Sequence, residues 1–307
     1  MSLSDFSFFA LPALYALFIW WFSTGVIIYL DNLPRRTHRW SMLAATVILA
    51  VALHRLHATA GSTSVTSAYA AFTYGLLVWG WQEMSFFMGF ITGPVREPCP
   101  PECTGWASFV RAVWACLYHE LTSIAFGAAI VALTYGAPNQ IGFWTYFVLW
   151  SMRMSAKLNV LLGVRNLNAE FIPEHLAFIR SFLRHRPMNL LFPFAVTAAT
   201  IIAVLLVQRA GAPGIGQFAA TGMTFVTLLL ILAIIEHWFL VLPLPSARLW
   251  SWSLGASRGP AAMPGGRIEF SWVAAHSSWG AVFPRETHRL AALSVHAGNN
   301  APIGGDP

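Results

Sequence analysis

Seven stretches of this 307-residue chain are apolar for about twenty residues at a time, the length a helix needs to cross a hydrocarbon layer ~30 Å thick. They cover roughly residues 8–30, 41–60, 67–92, 108–134, 141–162, 189–208 and 216–242. In lipid a backbone satisfies its own polar groups only as a helix or a closed barrel, and runs of this length select the helix. Composition agrees: 57% of residues are hydrophobic and 10% charged, against roughly 25% charged in soluble domains. The expected fold is therefore an all-α, polytopic membrane bundle of about seven transmembrane helices spanning residues 1–252. Neither a basic segment nor a small-residue cleavage site marks the first run as a signal peptide, so it reads as a retained helix.

The arginines give the bundle a direction. Arg35, Arg36 and Arg39 follow the first run, Arg96 the third, Arg165, Arg180, Arg184 and Arg186 the fifth, and Arg248 the seventh. With seven crossings all four segments share one side, and the other side keeps only Arg55 and Arg209 near helix ends. Basic loops stay in the cytoplasm, which puts the N-terminus outside and the C-terminus inside. The formal net charge of +6 is then a matter of topology and gives no reason to expect a nucleic-acid partner.

Most connections are short. Gly136-Ala-Pro-Asn-Gln-Ile-Gly142 reads as a compact external turn in which Asn139 bonds its own backbone. The 163–188 connection is different. After Pro173, Leu176, Ile179, Phe182 and Leu183 recur at helical spacing among Arg180, Arg184 and Arg186. That pattern predicts a short basic amphipathic helix on the cytoplasmic membrane surface, or one that docks a partner. Cys99 and Cys103 lie in Cys-Pro-Pro-Glu-Cys; two thiols are half of a structural zinc site, and the plain reading is a stiff Pro-rich loop. Residues 253–307 are rich in Gly and Pro and carry no sustained periodicity, so a mostly disordered cytoplasmic tail is expected.

Four of the apolar runs hold ionisable groups: Glu83, His119 with Glu120, Arg153 with Lys157, and Glu236 with His237. Each charge near a bilayer centre costs about 2.5–3.5 kcal/mol on insertion scales, so such groups persist by facing one another, a cavity or a ligand. Counting along the expected spans puts all of them in the cytoplasmic half, with Arg153 and Lys157 on one helical face. Three carboxylates against one Arg and one Lys come near to balance. The set reads either as a ligand or proton site or as a structural charge network that fixes helix packing.

A di-iron centre needs Glu-x-x-His so that both side chains point one way; His119–Glu120 and Glu236–His237 are adjacent and splay by about 100°. A magnesium tetrapyrrole needs one axial ligand in an aromatic setting, which His119 or His237 would supply beside Trp79, Trp81, Trp114 and Trp238. Glu83, Glu120, Glu236, Arg153, Lys157 and Asn159 would orient or neutralise it. The competing metal set is His119, Glu120, Glu236 and His237. No residue is assigned a catalytic role.

Several motifs carry a family resemblance. They are Ile91-Thr-Gly-Pro-Val-Arg-Glu-Pro-Cys-Pro100, Tyr118-His-Glu120, Ala137-Pro-Asn-Gln-Ile-Gly-Phe-Trp-Thr145, Ser155-Ala-Lys-Leu-Asn159 with Leu162-Gly-Val164, and Glu236-His-Trp238 leading to Val241-Leu-Pro-Leu-Pro245. Together, over residues ~10–252, they resemble the PuhE family, the photosynthetic complex assembly protein 2 of phototrophic bacteria. The resemblance implies a multi-pass protein of the bacterial cytoplasmic membrane, acting in assembly of reaction-centre and light-harvesting complexes and in bacteriochlorophyll supply. Its expected cargo is bacteriochlorophyll or a late precursor. Its expected partners are the bilayer, reaction-centre or light-harvesting subunits, and pigment-biosynthesis enzymes. A membrane metalloenzyme acting on a tetrapyrrole or lipid, and a scaffold with a purely structural charge network, are the alternatives.

Overall fold

The computed structural model describes residues 6–100, 102–167, 171–242 and 249–254. Arg248 and residues 255–307, nearly all of the expected tail, lie outside the described residues. A π-helical turn, Phe6–Ala10, leads into seven long helices: α1 Leu11–Asp31, α2 Arg35–Thr59, α3 Val65–Phe87, α4 Gly105–Leu133, α5 Ile141–Leu162, α6 Leu191–Ala210 and α7 Gln217–Val241. A 3₁₀ segment, Glu174–Phe182, lies between α5 and α6, and a short helix α8, Ser251–Leu254, follows α7. No strand occurs among the described residues, whose only β feature is an isolated Val164–His185 bridge.

Five of the seven, beginning with the Phe8–Asp31 stretch that contains α1 and continuing with α2, α4, α6 and α7, are long and apolar enough to cross a membrane. The exceptions, α3 and α5, carry Gln82, Glu83, Arg153, Lys157 and Asn159. Their polarity belongs to the interior, because α3 packs on α1, α2, α5 and α7. More than half of the most apolar stretch of α7 is also inside the protein, against about a fifth or less for α1, α2, α4 and α6. Those outer helices present Leu17, Phe18, Val47, Val51, Leu121, Ile124, Ile201 and Leu205 outward, as lipid-facing surfaces do.

The core is a stack of rings between α1, α3 and α7. Phe72 and Phe225 lie face to face at 4.4 Å, Tyr15 and Tyr69 meet them edge-on or tilted, and the Tyr15 hydroxyl shares a 2.7 Å hydrogen bond with Thr73 Oγ1. On the α5 side, small residues set the spacing. A Cβ on Gly75 would sit 2.6 Å from the Gly142 carbonyl oxygen, so α3 and α5 cross with backbones nearly touching. From that crossing both helices run to the same end of the bundle. Glu83 and Arg153 lie about 12 and 16 Å along them at 1.5 Å per residue.

Two sets of connections define the two ends. At one, the Asn139 amide donates to the Ala60 carbonyl and its Nδ2 to the Ser67 carbonyl, while Ile141 N–H donates to Asn139 Oδ1. The expected local bond of Asn139 is present, and the side chain also staples the turn to α3. At the other end, His175 Nε2 bonds the Phe87 carbonyl, Arg184 bonds the Gly105 carbonyl, and Asn166 N–H donates to Leu240 O. The arginine-bearing connections 88–104 and 163–190 therefore gather at one end of the bundle, with the turn 32–34 and Arg35 of α2 beside Pro173 and His175.

Two expectations change here. The third apolar run extends to residue 92, but α3 ends at Phe87 and the chain turns back through Gly89, whose φ is +80°. The 174–182 segment is a 3₁₀ run rather than an α-helix, and its apolar side faces protein. Leu176 and Phe182 are buried, and Phe178 and Phe182 pack with Ala112 and Ala115 of α4. Those contacts seat the apolar side of the segment on α4. Arg180 reaches back to the Ile172 carbonyl at 2.7 Å.

Candidate functional site

The arginine-rich end encloses a cavity of about 460 Å³, within the ~300–1,000 Å³ range of sites that hold small molecules and cofactors. α1, α3, α4, α5 and α7 form its sides, and the 171–183 segment and Trp250 complete them. Its wall is mostly aromatic and aliphatic, with Trp20, Trp79, Trp250, Phe86 and Phe171 among the rings. Into this apolar wall are set Asp31, Glu83, Glu120, Arg153, Lys157 and Glu236.

Four of these groups form two ion pairs. Arg153 Nη2 lies 3.1 Å from Glu83 Oε2, and Lys157 Nζ lies 2.7 Å from Glu120 Oε1. Arg153 and Lys157 are one helical turn apart on α5, so α5 carries both cations and α3 and α4 supply one carboxylate each. Trp150, a further turn up α5, donates from Nε1 to Glu120 Oε2 at 3.4 Å. Each cation also lies against a ring of α3: Lys157 Nζ is 5.1 Å from the Phe86 centroid and Arg153 Cζ 5.6 Å from that of Phe87, within cation–π range.

The other two carboxylates have no such partner. No Lys or Arg nitrogen lies within 4.0 Å of Asp31 or Glu236 among the described residues. Asp31 Oδ1 is buried and accepts no hydrogen bond. Asp31 also lines a second, shallower pocket with Arg35, His38 and His175, so it stands between the arginine-rich surface and the main cavity.

Both histidines sit outside the cavity wall. His237 is spoken for at each nitrogen: Nδ1 is 2.8 Å from the Ala233 carbonyl, which only accepts, and Ser155 Oγ is 2.9 Å from Nε2. Nδ1 therefore donates and Nε2 accepts from the serine hydroxyl. His119 is fully buried behind Glu83, with Nε2 3.9 Å from Glu83 Oε1 and no hydrogen bond at either ring nitrogen. Its ring packs on Phe86 at 4.8 Å. Asn159 is also buried; its Nδ2 donates to the Ser155 carbonyl, and its main-chain carbonyl accepts from Asn189 Nδ2.

The turn after α3 shapes this corner. His119 N–H donates to the Thr92 carbonyl at 3.0 Å, so the chain at 91–93 lies against the backbone of α4. Gly93 makes this approach feasible: a Cβ there would fall 1.9 Å from the Trp114 carbonyl oxygen. A disulfide joins Cys99 to Cys103 in the same connection, and the Cys99 amide donates to Ser181 Oγ at 2.9 Å.

The structure thus gathers Glu83, Glu120, Glu236, Arg153 and Lys157 around one cavity and leaves His119, His237 and Asn159 behind its wall. The metal set His119, Glu120, Glu236 and His237 does not converge, and no three His, Cys, Asp or Glu side chains gather as a metal site among the described residues. Adjacent residues on a helix diverge, and each His follows the divergent direction. Of the four tryptophans singled out, Trp79 lines the cavity; Trp81 donates to Thr46, and Trp114 and Trp238 are exposed. Sequence reasoning missed Asp31, Trp20, Trp250 and Ser155. Asp31 closes an apolar run with no charge beside it for twenty residues upstream, which was the one available signal.

A Rhodobacter capsulatus protein described as an uncharacterized 30.4 kDa protein in the puhA 5′ region is 38% identical over 256 residues, covering 82% of this chain and 93% of its own. No solved structure matches. Residues 6–261 match the family described as Protein of unknown function (DUF3623), and the chain belongs to that family.

Proposed function

We propose that the protein is an assembly factor for bacterial photosynthetic complexes that holds bacteriochlorophyll or a late precursor in this cavity. The observation that carries the reading is the cavity itself, an aromatic-walled space of about 460 Å³ in a membrane bundle. The relative in the puhA 5′ region and the PuhE resemblance supply the photosynthetic context. All seven long helices cross the membrane in this reading, with the N-terminus outside. The arginine-rich end and the cavity mouth then face the cytoplasm of the bacterial inner membrane. Reaction-centre or light-harvesting subunits, or pigment-biosynthesis enzymes, are the partners.

The wall fits such a cargo through its rings and through the orphaned oxygen of Asp31. It does not offer an imidazole to a central magnesium, because neither His119 nor His237 lines it. Each residue has a defined task. Trp20, Trp79 and Trp250 flank the macrocycle; the two ion pairs keep the polar side of the cavity neutral; Asp31 meets the cargo on the surface side.

The test is the absorption spectrum of protein purified from a pigment-producing host, wild type beside Gly80→Phe. Gly80 lines the cavity and a Cβ there meets only Ile27 Cδ1, at 3.6 Å, so a side chain starts there without a clash and its ring takes up cavity space. Pigment in the wild type and none in the variant is expected; equal pigment in both, or none in either, refutes the reading. The ion pairs, each tying a different helix to α5, favour one alternative, a scaffold without cargo. It predicts co-purification of photosynthetic subunits that Gly80→Phe leaves intact.

A further inference from the structure

We infer that the cavity discriminates by charge, taking a tetrapyrrole whose propionate is esterified and rejecting the free acid. The inference rests on the pigment reading above and concerns the same site.

Every cation of the cavity is already committed. Arg153 is held by Glu83 and Lys157 by Glu120 at 3.1 and 2.7 Å. The remaining ionisable groups on the wall, Asp31 and Glu236, are carboxyl groups. A ligand carboxylate entering this space adds a fifth acid to a set with two cations. Ionised, Asp31 and Glu236 repel it. Carrying protons, they offer hydrogen bonds but no compensating charge. The third route, taking Arg153 or Lys157 from its partner, strands Glu83 or Glu120 in an apolar wall. An unpaired buried charge is among the costliest groups to bury.

The groups behind the wall do not change this balance. His119 faces Glu83 at 3.9 Å, His237 is bonded to Ser155 and Ala233, and Arg35 belongs to the outer pocket. An ester presents only neutral oxygens, which accept hydrogen bonds and leave both pairs intact. Asp31 is the second, independent pointer to a ligand: the residue lines the cavity at 7% exposure, and its buried Oδ1 has no hydrogen-bond partner.

The class of tetrapyrrole that fits is therefore the uncharged one, formed by the esterification that consumes the free propionate. Interaction between charges about 8 Å apart at protein-like dielectric corresponds to at least about tenfold in affinity. The probes are bacteriochlorophyllide a, the free acid, and its methyl ester, which differ in charge without the complication of a long alcohol. Binding to detergent-solubilised full-length protein is read by quenching of tryptophan fluorescence.

The methyl ester is expected to bind at least tenfold more tightly than the acid. In Glu120→Gln, which frees Lys157, the preference is expected to collapse or reverse. Glu236→Gln, which breaks no pair, is expected to narrow it by strengthening binding of the acid. Equal affinity for acid and ester in the wild type overturns the charge inference and leaves the pigment reading standing. Binding of neither overturns both. A preference for the ester that survives unchanged in both variants assigns the selectivity to something other than these groups and also overturns it.

Discussion

Replacing Lys157 by Met tests whether the α4–α5 pair holds the bundle or merely decorates the cavity. The ammonium lies 2.7 Å from Glu120 Oε1, with the two side chains only 20% and 18% exposed. At that separation and an effective dielectric of about 20, the gross attraction is about 6 kcal/mol. Desolvation of both ions takes back much of it. Removing one partner of a buried pair nevertheless costs about 3–5 kcal/mol, because the survivor is left uncompensated. Glu120 would keep only the long hydrogen bond from Trp150. Met preserves the aliphatic stem over Phe86, so the charge is the main thing lost. We expect Lys157→Met to cost about 3 kcal/mol and Lys157→Met/Glu120→Met to recover most of it. The assay is reversible unfolding in mixed micelles, followed by tryptophan fluorescence, run as a double-mutant cycle. A coupling energy below about 0.5 kcal/mol would refute the reasoning and place the pair in the class of screened surface contacts.

Three further outcomes are expected. His175, in the 3₁₀ segment outside the helices that cross, has its pKa lowered from 6.5 by burial, with Arg35 and His38 adding to the effect and its bond to Phe87 O opposing it. The unfolded chain then binds the extra proton first, so stability is complete above about pH 6.5 and falls as pH drops from there through the lowered native value. A thermal-shift series from pH 7.5 to 5 should show a shallower decline for His175→Gln, and an identical slope would remove His175 as the cause. Gly93→Ala drives a methyl into the Trp114 carbonyl and should cost about 1–3 kcal/mol as overpacking does, whereas Gly61→Ala, whose Cβ meets nothing within 4 Å, should be close to neutral by the same measurement. Disulfides persist in oxidising compartments, so the proposed orientation, with the arginine-rich end in the cytoplasm, predicts that acid-quenched cells yield Cys99 and Cys103 as thiols that pair on purification in air. Mass spectrometry after alkylation decides it, and a disulfide already formed in quenched cells would place that end in the periplasm.

Helix existence was legible in the sequence because a run of about twenty apolar residues leaves few other structures open to it. Ends were less so, for two physical reasons. A polar helical turn is invisible to an apolar scan: α2 begins at Arg35 rather than 41, its first turn being Arg35-Arg36-Thr37-His38 after Pro34. Conversely, an apolar chain need not be helical, as the turned-back segment 88–92 shows. The site was half legible. The cost of a charge in lipid picked out Glu83, Glu120, Arg153, Lys157 and Glu236, and the cavity collects all five. Which way His237 faces depends on Ser155, eighty-two residues away on another helix, and no local pattern encodes that. The basic amphipathic pattern of 174–182 marks a one-sided segment without naming its neighbour, because Ala112 and Ala115 are as apolar as a lipid tail.

One wall of the cavity joins the two extremes of the described chain. Trp250 Nε1 donates to the Trp21 carbonyl, Trp21 Nε1 to the Leu249 carbonyl, and the Trp250 ring packs edge-on to Trp20 at 5.7 Å. Helix α1 is thus fastened by residues 229 positions further along the chain. Until Trp250 follows α7 during synthesis, this side of the space is open, and a molecule resting there is free to diffuse away. The closed container therefore exists only in a chain translated past α7 to Trp250.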